Sequence, residues 1–139
     1  NYLTKDFFEQ LVNHTHISIK NKTSYTFFIF HRVSKTLVGG INLTNMKKKL
    51  YKSITIGYWM GINFAGKGYM QDSIKNVCSF CFDDLKVNRI EAACLPKNIA
   101  SKMVLIKSGF VIEGYAKKYL EINGKFEDHI LLAKLKGDF

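Results

Sequence analysis

A pair of closely spaced glycines could bind phosphate groups. Gly66 and Gly68 lie between an alternating apolar segment that ends near Trp59 and a helical pattern that begins near Met70. Glycine allows the backbone to turn tightly and to approach a ligand closely. The free N–H groups and the dipole of the following helix attract anions. The spacing therefore predicts a pyrophosphate-binding turn, although the two glycines could also form an ordinary strand-to-helix turn.

Two common nucleotide-binding motifs fit this turn poorly. A Walker A loop requires Ser or Thr after Gly66-Lys67 to hold Mg²⁺, and the next residue is Gly68. A dinucleotide fingerprint requires a third glycine at the position of Gln71. We therefore expect neither an NTPase nor a dinucleotide-binding enzyme.

The cysteines and histidines do not indicate a metal or redox site. Cys78 and Cys81 lie in an apolar helical pattern and are typical of buried core thiols. His14 and His16 lack a third ligand nearby, which favours a surface loop. Three cysteines are too few for a disulfide scaffold and indicate a cytoplasmic protein. We expect no metal cofactor.

Composition and charge indicate a folded domain that favours anionic partners. Apolar residues make up 47% of the 139 positions, which excludes a disordered chain. The net charge of +10 suits nucleic acid, acidic proteins or a phosphate-bearing cofactor. Lys47, Lys48, Lys49 and Lys52 form a basic cluster that we interpret as a solvated turn. Because zinc-finger, basic-zipper and RNA-binding signatures are missing, we expect no sequence-specific nucleic-acid binding. We also expect no membrane association.

The elements that must position the glycine turn follow from apolar periodicity. Strand patterns cover residues 25–30, 37–43, 54–60, 90–94, 110–122 and 126–134, and helical patterns cover 2–13, 70–85 and 99–107. Thr4 could cap the first helix, and Asn123-Gly124 predicts a tight hairpin.

Gly39-Gly40 predicts a bulge or a close backbone approach. A strand on each side of the long helix requires a parallel crossover, so we expect a mixed sheet with helices.

The glycine turn and its surroundings resemble GNAT-type N-acetyltransferases, and among these the RimJ/RimL group that acetylates protein N-termini. The family's pyrophosphate motif, Q/R-x-x-G-x-G/A, is similar to residues 63–68, with Asn63 in the first place. The group's preceding strand ends in I-G-Y-W, as residues 56–59 do. Further similar segments follow in the family's order: Arg89-Ile90-Glu91-Ala92, Pro96-x-Asn98-x-Ala100-Ser101, Leu105 with Gly109-Phe110, Glu113-Gly114, Tyr119, Asn123-Gly124 and Asp128-His129. The resemblance spans about residues 25–135.

This resemblance implies a site for acetyl-CoA. The cofactor would lie in a V-shaped opening between two strands that splay apart, one ending at Trp59 and the other at Leu95. Backbone groups near Trp59 would hold the pantetheine arm, and the glycine turn would hold the pyrophosphate. The expected cofactor-binding residues are Trp59, Met60, Phe64, Ala65, Gly66, Lys67, Gly68, Tyr69, Asn98 and Ser101.

The resemblance also implies candidates for proton transfer. A backbone N–H of residue 59 or 60 would stabilise the oxyanion. Many GNAT enzymes protonate the departing thiolate with a tyrosine on the short helix, but this chain has Leu105 there. Ser101 is therefore the candidate general acid, and it could equally be an ordinary serine at a helix start.

The general base is an open question. Related proteins often carry Glu one residue before the I-G-Y-W segment, where this chain has Thr55, which cannot act as a base at neutral pH. Glu91 on the adjoining strand is a weak base candidate, and Asp128 and His129 in the terminal hairpin are others. Each of the three could instead be structural, and deprotonation could proceed through water.

The resemblance implies an acetyl-CoA-dependent N-acetyltransferase in which a primary amine attacks directly within a ternary complex. The favoured acceptor is a protein N-terminal α-amine, for example that of a ribosomal protein. Small amines are an alternative: polyamines, aminoglycosides or amino-acid derivatives. A catalytically silent acyl-CoA-binding module is another alternative.

The implied fold is the GNAT fold, of the α/β (α+β) class. Its sheet is mixed and mostly antiparallel, with a parallel splayed strand pair and flanking helices. We expect a single GNAT domain over residues 1–139 that is incomplete at its N-terminus, because the family's leading strand and helix are not visible. Residues 25–30 would then form an apolar edge. We expect the chain to form a homodimer or aggregate through this edge unless missing residues cover it, and a monomer would indicate that residues 15–21 fold back over it as a strand.

Overall fold

Residues 24–137 of this computed structural model form one six-stranded sheet with helices. The strands are β1 (Tyr25–Phe30), β2 (Leu37–Lys47), β3 (Ser53–Met60), β4 (Arg89–Cys94), β5 (Val111–Ile122) and β6 (Lys125–Leu135). The helices are α1 (Tyr69–Asp83), α2 (Ile99–Lys107) and a short 3-10 helix (Ile62–Phe64). The predicted helix at 2–13 with its cap Thr4, the segment 15–21, and His14 and His16 lie outside the described residues.

The sheet divides into two wings. Its strand order is β1-β2-β3-β4-β6-β5, and β3 and β4 form its parallel pair, as predicted. This pair holds together over three positions only, the last being Thr55 opposite Glu91. Beyond it β3 stays paired with β2 as far as Met60, and β4 stays paired with β6 as far as Cys94. The two strands therefore separate into a fork, which confirms the expected splayed pair.

The core lies between the sheet and α1. The apolar side chains at three- to four-residue spacing on α1 are buried, namely Met70, Ile74, Val77, Cys78 and Cys81. They pack with β-strand residues such as Phe27, Ile41 and Ile90. Burial raises the pKa of the Cys78 thiol to about 11, so this thiol is protonated at neutral pH. Both cysteines are therefore core residues, as predicted.

Two adjacent glycines bring β2 close to β3. A Cβ atom on Gly39 would overlap the carbonyl oxygen of Trp59, and one on Gly40 would lie 2.6 Å from Nε1 of Trp59. The β1–β2 register also shifts at this point, where Ile29 pairs with Gly39 and Phe30 with Leu37. Both the predicted bulge and the predicted close approach are confirmed.

Two further predictions concern association with a second copy of the chain and with a membrane. β1 is the terminal strand of the described order, and dimerisation through it stays a prediction. Within residues 24–137, no helix has the length and apolar character needed to cross a bilayer.

Candidate active site

A cleft of about 660 Å³ opens where β3 separates from β4. The end of β3, the glycine turn and the start of α2 form its walls. Nine of the ten predicted cofactor-binding residues line it: Trp59, Met60, Phe64, Ala65, Gly66, Gly68, Tyr69, Asn98 and Ser101. Lys67, the tenth, is exposed on the turn and does not line the cleft. The tertiary fold thus brings the predicted set together, and its binding role stays a prediction.

The glycine turn has a backbone conformation that favours glycine. Gly66 and Gly68 have φ values of +79° and +81°, in the left-handed region. A Cβ atom at either position would meet no protein atom within 4 Å, so the space beside the turn is open. Gly68 also caps α1, whose first turn carries the positive end of the helix dipole. An open, positively polarised turn of this kind suits phosphate oxygens.

A hydrogen-bonded hydroxyl pair lies in the cleft. The phenolic oxygen of Tyr58 is 2.6 Å from Oγ of Ser101, and it lies 3.0 Å from the carbonyl oxygen of the same residue. The backbone N–H of Ser101 donates to Oδ1 of Asn98, which caps α2. Ser101 is therefore held both by its helix cap and by a residue of β3. Burial raises the pKa of Tyr58, and the hydrogen bond to Ser101 opposes this shift. The phenol is therefore protonated at neutral pH.

Sequence reasoning missed Tyr58 and Lys107 as residues of this cleft. Tyr58 belongs to the I-G-Y-W segment, but that motif gives no sign of its contact with a residue 43 positions away. Lys107, in the last turn of α2, lines the cleft and adds a positive charge to it. At Leu105 the side chain is fully buried in the core. A leucine side chain has no transferable proton, so Leu105 cannot act as a general acid.

Glu91 lies at the base of the fork and is engaged in an ion-pair network. Its Oε2 accepts a hydrogen bond of 2.8 Å from Nε of Arg89. The two terminal nitrogens of Arg89 bind the carboxylate of Glu113, one of them at 2.9 Å. Arg89 lowers the pKa of Glu113 through these bonds. Glu91 does not line the cleft, so the structure brings it to the fork but not to the other site residues.

Neither of the two hairpin candidates lines the cleft. Asp128 accepts hydrogen bonds of 2.9 Å from the backbone N–H of Lys118 and from the hydroxyl of Tyr115. These bonds lower the pKa of Asp128. His129 is buried, and its Nδ1 lies 2.9 Å from the carbonyl oxygen of Glu127. Asp128 thus joins β6 to β5, and the ring of His129 contacts the ring of Tyr119 on β5, with centroids 5.8 Å apart.

Metal-ligating side chains do not cluster in the described part of the chain. Among residues 24–137, no group of three or more His, Cys, Asp or Glu side chains could hold a metal ion.

A mixed sheet that forks at a parallel strand pair, with a glycine turn beside the fork, defines the acyl-CoA N-acyltransferase class of folds. The chain belongs to the GNAT acetyltransferase family, because the family model described as "Acetyltransferase (GNAT) domain" matches residues 2–111.

Two curated relatives and one solved structure show how far the similarity extends. The chain is 37% identical over 120 residues to the probable N-acetyltransferase YjcK of Bacillus subtilis, covering 86% of this chain and 66% of that protein. It is 30% identical over 129 residues to the ribosomal protein uS5-alanine N-acetyltransferase of Escherichia coli, covering 93% and 65%. The structure of Mycobacterium smegmatis RimJ in complex with CoA-disulfide matches with a TM-score of 0.80 at 28% identity, covering 92% and 60%. The chain spans about two thirds of the length of the curated relatives it matches.

Proposed function

We propose that this domain transfers the acetyl group of acetyl-CoA to a primary amine, and that the acceptor is the α-amine of a protein N-terminus. The observation that carries the proposal is the cleft at the strand fork, which joins an open glycine turn to a hydroxyl pair. The similar RimJ protein is described as a complex with CoA-disulfide. GNAT family membership supports the same reaction class.

We assign the residues of the cleft to successive parts of an acyl-CoA molecule. The turn at Gly66 and Gly68 would hold the pyrophosphate, with Lys107 supplying a positive charge from the opposite wall. Within the described sheet, the edge of β3 beyond Thr55 has no strand partner on the side of β4. Backbone groups along that edge, near Trp59 and Met60, would hold the amides of the pantetheine arm.

The proposed proton transfer depends on which oxygen accepts the hydrogen bond from Tyr58. Acetyl-CoA supplies a thioester that is open to attack by a neutral amine. The Tyr58 hydroxyl has one proton, so it can donate a hydrogen bond either to the carbonyl oxygen or to Oγ of Ser101. When Tyr58 donates to Oγ, the proton of Ser101 would point at the departing sulfur. As that proton passes to the thiolate, the Tyr58 proton would pass to Oγ, and the proton that the amine loses through water would restore the pair. We therefore assign Ser101 as the general acid and Tyr58 as the residue that positions it.

The proposed acceptor is supported by similarity to proteins named for ribosomal substrates. The E. coli relative is named as an alanine N-acetyltransferase of ribosomal protein uS5, and 30% identity extends over most of this chain. A peptide that begins with Ala is therefore the first substrate to test. Spermidine is the matched small-amine probe, since a spermidine N-acetyltransferase of Vibrio cholerae shares the fold with a TM-score of 0.75 at 22% identity.

Release of CoA tests the proposal directly. The protein is incubated with acetyl-CoA and either an Ala-initiated peptide, the same peptide already N-acetylated, or spermidine. We expect thiol release with the free peptide and none with the acetylated peptide. Release with spermidine alone would replace the proposed acceptor with a small amine. Calorimetric CoA binding without release for any amine would contradict the enzyme proposal and indicate a silent acyl-CoA-binding module.

A further inference from the structure

Lysines from three separate segments lie along one end of the sheet, where β3 begins. Lys47 ends β2, and Lys48 and Lys52 lie in the β2–β3 connection. Lys86 lies in the turn between α1 and β4, and Lys136 directly follows β6. We call these five residues the basic edge. The candidate active site lies at the other end of β3, roughly 25 Å away for a strand of eight residues. The basic edge is therefore distinct from the cleft.

Backbone hydrogen bonds hold these three segments together. The N–H of Asn88 donates to the carbonyl oxygen of Lys52 at 2.6 Å. The N–H of Lys136 donates to the carbonyl oxygen of Asn88 at 3.1 Å. Lysines far apart in sequence are thus held side by side. The sequence alone showed only the cluster at residues 47–52, whereas the fold adds Lys86 and Lys136 to it.

The basic edge contains two neighbouring shallow clefts of about 360 Å³ each. They share Lys52, Lys86 and Val87, so they adjoin one another along the edge. Lys47 and Lys48 line one cleft, together with Asp84, and Lys136 lines the other. Within residues 24–137, none of the five lysines forms an ion pair with a carboxylate. Their charges are therefore available to an external anion.

An aromatic side chain lies beside these charges. Tyr51 lines one of the clefts and is 69% exposed, and Nζ of Lys47 lies 5.1 Å from the centroid of its ring. An exposed ring next to ammonium groups can stack on a nucleobase while the lysines contact phosphates.

We propose that the basic edge binds a single-stranded nucleic acid through its phosphate backbone, independently of base sequence. Adjoining clefts suit a flexible chain of anions, which can follow the surface from one cleft to the next. A planar lipid surface would contact only the parts that protrude most, such as Leu50, which is 97% exposed. The proposal does not depend on the acetyltransferase activity.

Salt-dependent binding of labelled U20 RNA, followed by fluorescence anisotropy, tests the proposal. The patch variant carries Lys48→Gln, Lys52→Gln and Lys86→Gln. The control variant carries Lys35→Gln, Lys75→Gln and Lys117→Gln, which removes equal charge from exposed positions outside the basic edge. Circular dichroism checks that both variants are folded.

We expect the patch variant to bind U20 about tenfold or more weakly, and the control variant to bind within about threefold of the parent. The slope of log K against log salt concentration should fall by about 2 in the patch variant, because each lost phosphate contact on a single strand contributes about 0.7. Similar binding of dT20 would support recognition of the backbone. Equal weakening in both variants would assign binding to overall charge and overturn the proposal. Binding to phosphatidylserine vesicles without binding to U20 would overturn it in favour of a membrane.

Discussion

The hydroxyl groups of Tyr58 and Ser101 meet at 2.6 Å although the residues lie 43 positions apart in the chain. Tyr58 belongs to β3 and Ser101 to α2, so the bond joins the two walls of the cleft. The bond also selects one rotamer of the Ser101 side chain, which could otherwise adopt several rotamers on the first turn of a helix. Removal of the Tyr58 hydroxyl should therefore make Ser101 a less effective general acid.

Tyr58→Phe removes this bond and keeps the ring. We expect kcat to fall about tenfold with little change in KM for acetyl-CoA, because the acid loses its orientation while the cleft keeps its shape. Ser101→Ala should cost about 10²–10⁴-fold. The double variant should be no slower than Ser101→Ala alone, because the two residues act as a unit. Tyr51→Phe, just before the start of β3, is the matched control. Additive losses would show that Tyr58 does not act through Ser101.

Gly66→Val tests the phosphate-binding turn against a matched glycine. Gly66 and Gly124 have φ values of +79° and +80°, and a Cβ atom on either would meet no protein atom within 4 Å. Valine at either position should therefore cost a similar backbone strain of about 1–2 kcal/mol, measured by denaturation. Calorimetry should show a tenfold or greater loss of CoA affinity for Gly66→Val alone. Equal CoA affinities in the two variants would refute the assignment of the turn.

Gly40→Ala should displace the indole of Trp59. A Cβ atom at residue 40 would lie 2.6 Å from Nε1, and the indole is partly exposed and able to move. Because Trp59 is the one tryptophan of the chain, its fluorescence reports this displacement directly. We expect a shifted emission maximum and weaker CoA binding. Gly57→Ala is the control, since a Cβ there would meet no atom within 4 Å. An unchanged emission spectrum in Gly40→Ala would contradict the predicted displacement.

The ion pair between Arg89 and Glu113 should make stability depend on pH. Arg89 lowers the pKa of Glu113 in the folded protein. The contribution is therefore present above the unfolded pKa of about 4.3 and is lost as pH falls through the lower folded value. Because both side chains are partly exposed, we expect Glu113→Gln to cost at most about 1 kcal/mol at pH 7. Thermal unfolding should show this difference shrinking below about pH 4. A difference of constant size across that range would disprove a titrating ion pair.

Much of the fold follows from local sequence pattern. The period of two in residues 54–60 and the three- to four-residue period after residue 70 correctly identified β3 and α1. The short helix at 99–107 was also correct, because Asn98 can cap it and Gly109 can end it locally. Polar residues near the end of β2 hid its extension to Lys47, since an exposed strand end carries no apolar alternation.

The glycine turn of the cleft was visible in the sequence because it is encoded by residues close together in the chain, whereas Asn98 and Ser101 were assigned to the cleft only by the resemblance to the family. The contacts of the site were not visible, because Tyr58 meets Ser101, and Arg89 links Glu91 to Glu113, only after distant segments have packed. The same holds for the basic edge, whose lysines come from three separate segments. Periodicity records which face of an element is apolar, whereas strand register and helix packing determine which side chains meet across the fold.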